Sequence, residues 1–389
     1  MAEFGPVTCA GCSLLCDDVT VDLSVEGARL RPDCRLGADW FSERALRMSG
    51  APAATIDGEP ADVESALARA AELLRRARHP LVHGFEGATV EDARAAIALA
   101  DRLGALVSTQ SLADAWPGAP AVPLRGASTA TLGEIRDRSQ VVLVWREDPE
   151  TTHPRLLDRL GFGSLSAERV LVVVDDRDTA TAGRADLRLA RPREHDLDAL
   201  VTLHALQRGL PVQAGELGGL AERLLAVPHA AFIYGPGLTA GVSGQRRALA
   251  LHELVRALCH DRHVVTLELL GASGTRSADD VLAWQSGYTG KVDFASGHPE
   301  MVTATEPIDD VDVTLLVEHG PADAGEIALG SLAAGPGVEV WIRTAAAGVS
   351  AGGTAHRLDG VPLTLQVVQP DDAPTAAALL TRLLAEVGT

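Results

Sequence analysis

The chain has 389 residues, of which 46% are hydrophobic, 3% are aromatic and 22% are charged. This length allows two or three packed subdomains with a sizeable core. The formal net charge of −19 argues against nucleic acid or an anionic membrane surface as a partner, because both would repel an acidic protein. The amino terminus has no basic segment and no apolar run reaches membrane-spanning length, so a cytoplasmic protein is expected.

Cysteines are concentrated at the start of the chain. Cys9, Cys12 and Cys16 are spaced C-x2-C-x3-C, and Cys34 follows in P-D-C-R-L-G. Three closely spaced thiolates and a distant fourth suit a cuboidal iron–sulfur cluster, because each corner iron takes one thiolate. A structural zinc site is an alternative, although it usually has two paired C-x2-4-C knuckles, and disulfides or unligated thiols are a third. The spacing therefore predicts a metal site built from these four cysteines.

Helices and strands alternate along the rest of the chain. Apolar residues at helical spacing, with capping and breaking residues at the ends, predict helices over 62–78, 89–103, 131–138, 196–208, 216–226, 243–259 and 374–386. Short apolar runs predict strands over 80–84, 105–109, 140–145, 169–174, 230–234, 263–267, 313–317 and 338–342. Because these strands are nearly continuous apolar runs separated by helices, they indicate parallel sheets that are buried on both faces.

This order of elements predicts an α/β fold in three domains. The domains are a cysteine-rich cluster domain over 1–50, an α/β domain combining 51–130 with 270–389, and a Rossmann-like α/β domain over 131–269. The Gly/Pro/Ala-rich segment 113–130 and the polar segment 271–280 are expected to be crossings between subdomains.

Polar residues follow three of the predicted strands directly. They are Trp145, Asp148 and His153 in the first turn, Asp175, Asp176 and Thr179 in the second, and Gly235, Gly237 and Thr239 in the third. Ligands bind at the carboxyl ends of strands in open parallel sheets. Carboxylates there can accept ribose or guanine donors, and bare glycine backbone can approach a phosphate. Each turn alone is better explained as a simple chain reversal, but the three together indicate a nucleotide-like ligand.

The cysteine set, with Asp17 and Asp18 directly after it, resembles the amino-terminal cluster domain in the B subunit of formylmethanofuran dehydrogenase, a shortened relative of the molybdopterin oxidoreductases. The turns D-P-E-T-T-H-P-R, V-D-D-R-D-T and G-P-G-L-T and the segment G-G-T-A-H-R-L-D-G-V-P are similar to family segments in the same order. The resemblance runs from Cys9 to about Leu384. It implies parallel-sheet, Rossmann-like subdomains of the molybdopterin oxidoreductase type. In these the three turns and Thr354 would form a pterin guanine dinucleotide site.

Three segments depart from the redox-active members of that family. The stretch 108–118 has neither cysteine nor histidine, and Asp114 stands where those members bind tungsten or molybdenum. The segment L-L-G-A-S-G at 269–274 lacks their active-site arginine and histidine. The family's W-G-x-N-P turn reads W-R-E-D-P here, which places Arg146 and Glu147 where a small residue lets the pterin approach. The resemblance thus implies lost redox catalysis, a vestigial pterin site, and no tungstopterin or molybdopterin guanine dinucleotide.

A bacterial branch of the family fits this pattern. In its formyltransferase/hydrolase complex, amidohydrolase and formyltransferase subunits move a formyl group between tetrahydromethanopterin and a methanofuran-like carrier and release formate. The resemblance implies a non-redox subunit of such a complex, with those two subunits and a third as partners, in one-carbon metabolism from formaldehyde to formate. The cysteines would then hold a 4Fe-4S cluster or be a remnant site. Two alternatives stay open: an active tungsten or molybdenum oxidoreductase using Asp114, and an iron–sulfur electron carrier.

Overall fold

The computed structural model describes residues 2–47, 50–109, 121–163, 169–302, 310–320, 324–333, 335 and 337–388. The chain forms two compact units. Unit 1 comprises Met1–Ala113, Gly271–Arg357 and Pro362–Thr389, and unit 2 comprises Asp114–Leu270 and Leu358–Val361. None of the helices in the described part of the chain combines the length and hydropathy that a membrane-spanning segment needs.

The described residues contain both strands and helices throughout. The strands are β1 (Ala2–Val7), β2 (Val19–Ser24), β3 (Gly27–Arg31), β4 (Ala54–Ile56), β5 (Glu59–Ala61), β6 (Pro80–Gly84), β7 (Leu106–Ser108), β8 (Val141–Trp145), β9 (Val170–Val174), β10 (Leu187–Leu189), β11 (His229–Tyr234), β12 (His263–Glu268), β13 (Lys291–Asp293), β14 (Glu300–Met301), β15 (Val313–Val317), β16 (Ile327–Gly330), β17 (Val340–Arg343), β18 (Gly353–His356) and β19 (Pro362–Leu365). The helices are α1 (Arg35–Ser42), α2 (Val63–Arg76), α3 (Val90–Leu103), α4 (Ala121–Arg125), α5 (Leu132–Arg138), α6 (Pro149–Thr152), α7 (Leu156–Arg159), α8 (Asp196–Gln207), α9 (Leu217–Ala226), α10 (Pro236–Thr239), α11 (Gly244–Leu258), α12 (Thr275–Ser286) and α13 (Ala376–Val387).

The main sheet of unit 1 has the strand order β14-β13-β7-β6-β15-β16-β17-β4-β5. Its central strands, from β7 to β17, run parallel, whereas the pairings at both edges are antiparallel. Side chains of α2, α3, α12 and α13, such as Leu67, Ile97, Leu282 and Leu380, share one buried core with the strands. Two smaller antiparallel sheets, β1-β2-β3 and β18-β19, complete this unit.

Local capping chemistry sets the ends of α3. The N–H of Asp92 donates to Thr89 Oγ1 at 3.1 Å, and the Asp92 carboxylate accepts from the N–H of Thr89 at 2.9 Å. This reciprocal capping box satisfies two backbone donors at the helix start. Gly104 follows the last helical residue with φ 64°, a left-handed conformation that glycine adopts without steric cost.

The sheet of unit 2 is parallel throughout its described strands, in the order β10-β9-β8-β11-β12. Helices α8, α9 and α11 bury Leu203, Leu220 and Leu251 in one core with these strands. Because β8 lies between β9 and β11, the turns that follow these three strands are neighbours at one edge of the sheet. That edge is where the sequence places its polar turns.

The structure confirms the α/β fold and the parallel sheets, and each predicted helix and strand agrees with an observed element to within two residues at either end. The main sheet of unit 1 is nevertheless mixed, because β4, β5, β13 and β14 add antiparallel edges. The segment 271–280, interpreted as a crossing, begins where the chain passes from unit 2 to unit 1, and α12 begins within it at Thr275. Its buried face includes Ser277 and Asp279, whose polarity hides the helical pattern in the sequence.

Candidate functional site

The W-R-E-D-P turn after β8 is organised around the side chain of Arg146. Its guanidinium donates to Asp176 at 2.8 Å, to Asp196 and to the carbonyl oxygen of Arg191, and its side chain is only 3% exposed. The second oxygen of Asp196 accepts from the indole of Trp145 at 3.0 Å. Burial alone would lower the pKa of Arg146, but the two carboxylates raise it. Arg146 is therefore a fully paired cation inside unit 2.

The turn after β9 is closed by a second arginine. The buried carboxylate of Asp175 accepts from Arg177 Nη2 at 2.7 Å and from its Nε at 3.0 Å. Arg177 also donates to the carbonyl oxygen of Arg146 at 3.0 Å, which ties this turn to the preceding one. The hydrogen bond from Arg146 lowers the pKa of Asp176. The two carboxylates of this turn that were predicted to accept nucleotide donors are thus engaged by arginines of the chain.

Asp148 and Thr179 also have partners within unit 2. Asp148 accepts from the N–H of Thr181 at 2.9 Å, from its hydroxyl at 2.6 Å and from the hydroxyl of Thr151 at 2.7 Å. Burial raises the pKa of Asp148, but these bonds bring it below its usual value. Thr179 Oγ1 accepts from the N–H of Ala182 at 3.0 Å.

The G-P-G-L-T turn after β11 packs directly on the W-R-E-D-P turn. Glu147 Oε1 accepts from the N–H of Gly237 at 2.7 Å, and burial raises the pKa of Glu147 to about 7. A Cβ atom on Gly237 would overlap the carbonyl oxygen of Arg146, and one on Gly235 would lie 2.8 Å from Glu147 Oε1. Thr239 donates to the carbonyl oxygen of Gly235 at 3.1 Å. The two glycines therefore allow the G-P-G-L-T turn to pack against the W-R-E-D-P turn of the same chain.

The remaining predicted residues are distributed differently. His153 is buried in unit 2 with Nε2 at 2.9 Å from the carbonyl oxygen of Leu270, and burial lowers its pKa. Thr354 belongs to unit 1, where its N–H donates to Glu91 at 3.0 Å. Asp114 lies outside the described residues. The structure thus groups the residues of the three turns and His153 within unit 2, and Thr354 lies in the other unit.

The four amino-terminal cysteines lie in unit 1 around a closed loop. The N–H of Cys9 donates to the carbonyl oxygen of Cys16 at 2.8 Å, and the N–H of Leu15 donates to that of Cys12 at 3.2 Å. Cys34 is the residue directly before α1. A Cβ atom on Gly37 would lie 2.9 Å from Cys9 Sγ, so the first turn of α1 packs on the loop. The distant fourth cysteine is thereby brought to the other three.

Burial controls the charge state of two of these thiols. It raises the pKa of Cys9, and the charges of the other three cysteines raise it further. Burial also raises the pKa of Cys12 to about 12, with Cys16 and Cys34 adding to the shift. Without a cation nearby, the thiols of Cys9 and Cys12 stay protonated at neutral pH, whereas metal ligation requires thiolates.

No group of three or more Cys, His, Asp or Glu side chains in the described ranges is arranged to hold a single metal ion. A cuboidal cluster makes a different demand, because its four thiolates bind separate irons and lie roughly 6–7 Å apart. Around one tetrahedral zinc they would lie roughly 4 Å apart. Cys259, the fifth cysteine, belongs to unit 2, where its thiol donates to the carbonyl oxygen of Val264 at 3.1 Å.

A cavity of about 690 Å³ adjoins the cysteine loop within unit 1. It is lined by Ala10, Gly11, Leu36, Asp39, Trp40, Glu43, Arg44, Glu86, Gly271, Ala272, Ser273, Leu332 and Ala333. The guanidinium of Arg44 stacks 3.4 Å from the ring centre of Trp40, and burial lowers its pKa to about 10. The sequence interpretation missed this cavity. A polar residue shortly after a predicted strand, Glu86 after β6, was the available signal.

Comparison with solved structures defines the fold class. The chain matches acetylene hydratase from Pelobacter acetylenicus with a TM-score of 0.58 at 12% identity, over 98% of this chain and 69% of that one. It matches a chain of the formyltransferase/hydrolase complex FhcABCD from Methylorubrum extorquens, solved with methylofuran, with a TM-score of 0.71 at 25% identity, over 86% and 98%. The fold is thus similar to that of acetylene hydratase and of the matched chain of the FhcABCD complex.

Sequence comparison identifies relatives of the chain within this fold class. The chain is 27% identical to the B subunit of tungsten-containing formylmethanofuran dehydrogenase 2 from Methanocaldococcus jannaschii over 94% of each chain. It is 27% identical to the same subunit of Methanococcus maripaludis over 100% of this chain and 99% of the relative. It is 28% identical to the B subunit of the formyltransferase/hydrolase complex Fhc from Methylorubrum extorquens over 64% and 68%. No protein-family model matches. The chain is a homologue of these B subunits, which confirms the resemblance seen in the sequence.

Proposed function

We propose that the chain is a non-redox B subunit of a formyltransferase/hydrolase complex. It would serve tetrahydromethanopterin-linked one-carbon metabolism, in which formaldehyde is converted to formate. Its homology to the B subunit of Fhc and the match to a chain of the FhcABCD complex support this role. The proposed partners are an amidohydrolase subunit, a formyltransferase subunit and a third subunit of that complex.

The paired side chain of Arg146 is the observation that carries the proposal. A pterin guanine dinucleotide needs free carboxylates and open glycine backbone at the strand ends of unit 2. There Arg146 engages Asp176 and Asp196, and Glu147 engages the backbone of Gly237. The residues present do not fit the dinucleotide, because the acceptors and donors it would use already have partners in the chain. Redox catalysis by this subunit is therefore not proposed.

We propose that the four amino-terminal cysteines hold a 4Fe-4S cluster with a structural role. The loop from Cys9 to Cys16 and the start of α1 at Cys34 supply four thiols from two segments, three from the loop and one from the residue before the helix. A cluster would cross-link these segments and supply the positive charge that buried thiolates require. The donor chemistry supports the cluster, and metal content decides between iron and zinc.

Full-length alignment with two tungsten enzymes favours a second candidate, an active tungsten or molybdenum oxidoreductase. In that function Asp114 would be the metal ligand. An iron–sulfur electron carrier is the third candidate, and it would require the proposed cluster to be redox-active. These candidates differ in cofactor content and in partners.

The test is purification of the chain from its native host through an affinity tag. The proposal expects copurification of an amidohydrolase and a formyltransferase, with iron but without stoichiometric tungsten, molybdenum or extractable pterin. Stoichiometric pterin dinucleotide with tungsten or molybdenum, together with reduction of a dye by formate, would establish the oxidoreductase instead. A redox titration of the iron centre separates a structural cluster from an electron carrier.

A further inference from the structure

The misfit between unit 2 and a guanine dinucleotide has a specific structural cause. We propose that the side chain of Arg146 acts as a built-in ligand of unit 2. Its guanidinium occupies the hydrogen-bond acceptors that the donors of a nucleotide would otherwise use. The unit is then complete without any nucleotide and, once this side chain is removed, accepts a free guanidinium ion in its place.

The contacts of the guanidinium are those of a saturated ligand. Nε donates to Asp196 at the start of α8, Nη1 donates to Asp176 after β9 at 2.8 Å, and Nη2 donates to the carbonyl oxygen of Arg191. Each nitrogen of the group thus has an acceptor, and the acceptors come from three separate segments. Arginine and free guanidinium are recognised in this way, because the planar group donates to several acceptors at once.

The backbone indicates that these contacts, and not the turn, hold the side chain in place. Arg146 has φ 56°, in the left-handed region, which is unfavourable for a residue other than glycine. A residue keeps such a conformation when its surroundings fix it by other contacts, and here the ion pairs do so.

One acceptor of Arg146 and a neighbouring carboxylate have further partners, so the binding place should survive removal of the guanidinium. Asp196 also accepts from Trp145 Nε1 at 3.0 Å, and the neighbouring Asp175 is held by Arg177 at 2.7 Å. The turn itself is fixed on its other side by the bond between Glu147 and Gly237 at 2.7 Å. A variant without the guanidinium therefore keeps the shape of the binding place and lacks only its cation.

The experiment uses the full-length chain in the assembly in which it is isolated. Arg146→Ala should lower the midpoint of thermal unfolding, and millimolar guanidinium chloride should restore several degrees of it by occupying the vacated place. Arg146→Lys keeps the charge but fills the space, so it should be destabilised and not rescued. Arg138→Ala, the same change at an exposed position of unit 2, controls for the substitution. Sodium chloride at equal concentration controls for ionic strength.

Rescue of Arg146→Ala by guanidinium and not by sodium, with no rescue of the wild type or the other variants, supports the proposal. Equal responses to the two salts would overturn it, as would stabilisation of the wild type by guanosine monophosphate. If Arg146→Ala does not fold, its refolding yield in each salt is the same test. The result is independent of the proposed function. Guanidinium can fail to rescue Arg146→Ala while a formyltransferase copurifies with the chain, and it can rescue the variant while no formyltransferase copurifies.

Discussion

At the scale of single residues, Glu318 shows how the fold changes the chemistry of a carboxyl group. It follows β15 with φ 45° and is only 5% exposed. It accepts from the hydroxyl of Ser331 at 2.8 Å and from that of Thr344. Burial and the charge of Asp92 together raise its pKa to about 7, and the hydrogen bonds from Thr344 and Ser331 and the charge of Arg44 oppose the shift. Glu318 therefore changes its charge near neutral pH.

This shift predicts a pH dependence that the Glu318→Gln variant should lack. The pKa of about 7 in the folded state lies above that of an unfolded glutamate, so the folded state binds the proton more tightly. The resulting stability is complete below about pH 4 and is lost as the pH rises through about 7. Between pH 5.5 and pH 8 the free energy of unfolding of the wild type should fall by on the order of 2 kcal/mol more than that of the variant.

Urea unfolding of both proteins at the two pH values measures this difference. The comparison uses the change with pH and not the absolute stability, because an amide also alters the hydrogen bonds to Ser331 and Thr344. Glu26→Gln, at a solvent-exposed position, is the control and should follow the wild type at both pH values. Parallel curves for the wild type and Glu318→Gln would show that the buried carboxyl group does not titrate in this range.

At the scale of elements, the packing of the β11–α10 turn on the β8–α6 turn predicts the effect of Gly237→Ala. The added Cβ would overlap the carbonyl oxygen of Arg146, and the turn would have to shift away from Glu147. Overpacking of this kind costs typically about 1–3 kcal/mol, and we expect a value near the upper end because backbone blocks the methyl group.

Gly219→Ala is the matched control, since its Cβ would meet nothing within 4 Å on α9. It should leave stability unchanged or raise it by about 0.5–1 kcal/mol, because alanine favours a helix over glycine. Denaturant unfolding of both variants gives the comparison. Equal stability of Gly237→Ala and the wild type would mean that the two turns are not in rigid contact.

The elements that could be predicted from the sequence are those with a repeating pattern. Helix α3 shows apolar periodicity and a capping box, and β8 is a continuous apolar run, so both were found. Strands of two to four residues such as β14 and β18 are too short to show a period. One reason why helix α12 was not predicted is that its buried face includes Asp279. This carboxylate can be buried because it accepts hydrogen bonds from Thr109 at 2.5 Å and from Gly290 at 3.0 Å. A hydropathy pattern does not show that a carboxylate will be buried with hydrogen-bond partners.

The same limit applies to the candidate site. The rule that ligands bind at the carboxyl ends of parallel strands placed the turns after β8, β9 and β11 together. It could not show that Arg146 would pair with Asp196, because that residue begins α8, fifty positions later in the chain. Long-range pairing of this kind follows from tertiary structure and not from local sequence.

At the scale of the whole molecule, the two candidate sites belong to different units. The cysteine loop and the adjoining cavity lie in unit 1, and the strand-end site closed by Arg146 lies in unit 2. The cavity is lined by five separate stretches of chain, so no single motif marks it in the sequence. A change at the cysteines should therefore alter metal content without disturbing the pairing of Arg146, and a change at Arg146 should leave the metal in place.

Metal analysis of cysteine variants tests the first half of this expectation. Burial raises the pKa of Cys12 to about 12, so its thiolate requires the positive charge of a bound metal. The wild type should contain about four iron and four sulfide per chain, and Cys12→Ser should lose most of both. Cys259→Ser should retain them, because this thiol lies in unit 2 and bonds to Val264. About one zinc per chain in place of iron would contradict the cluster and indicate a structural zinc site.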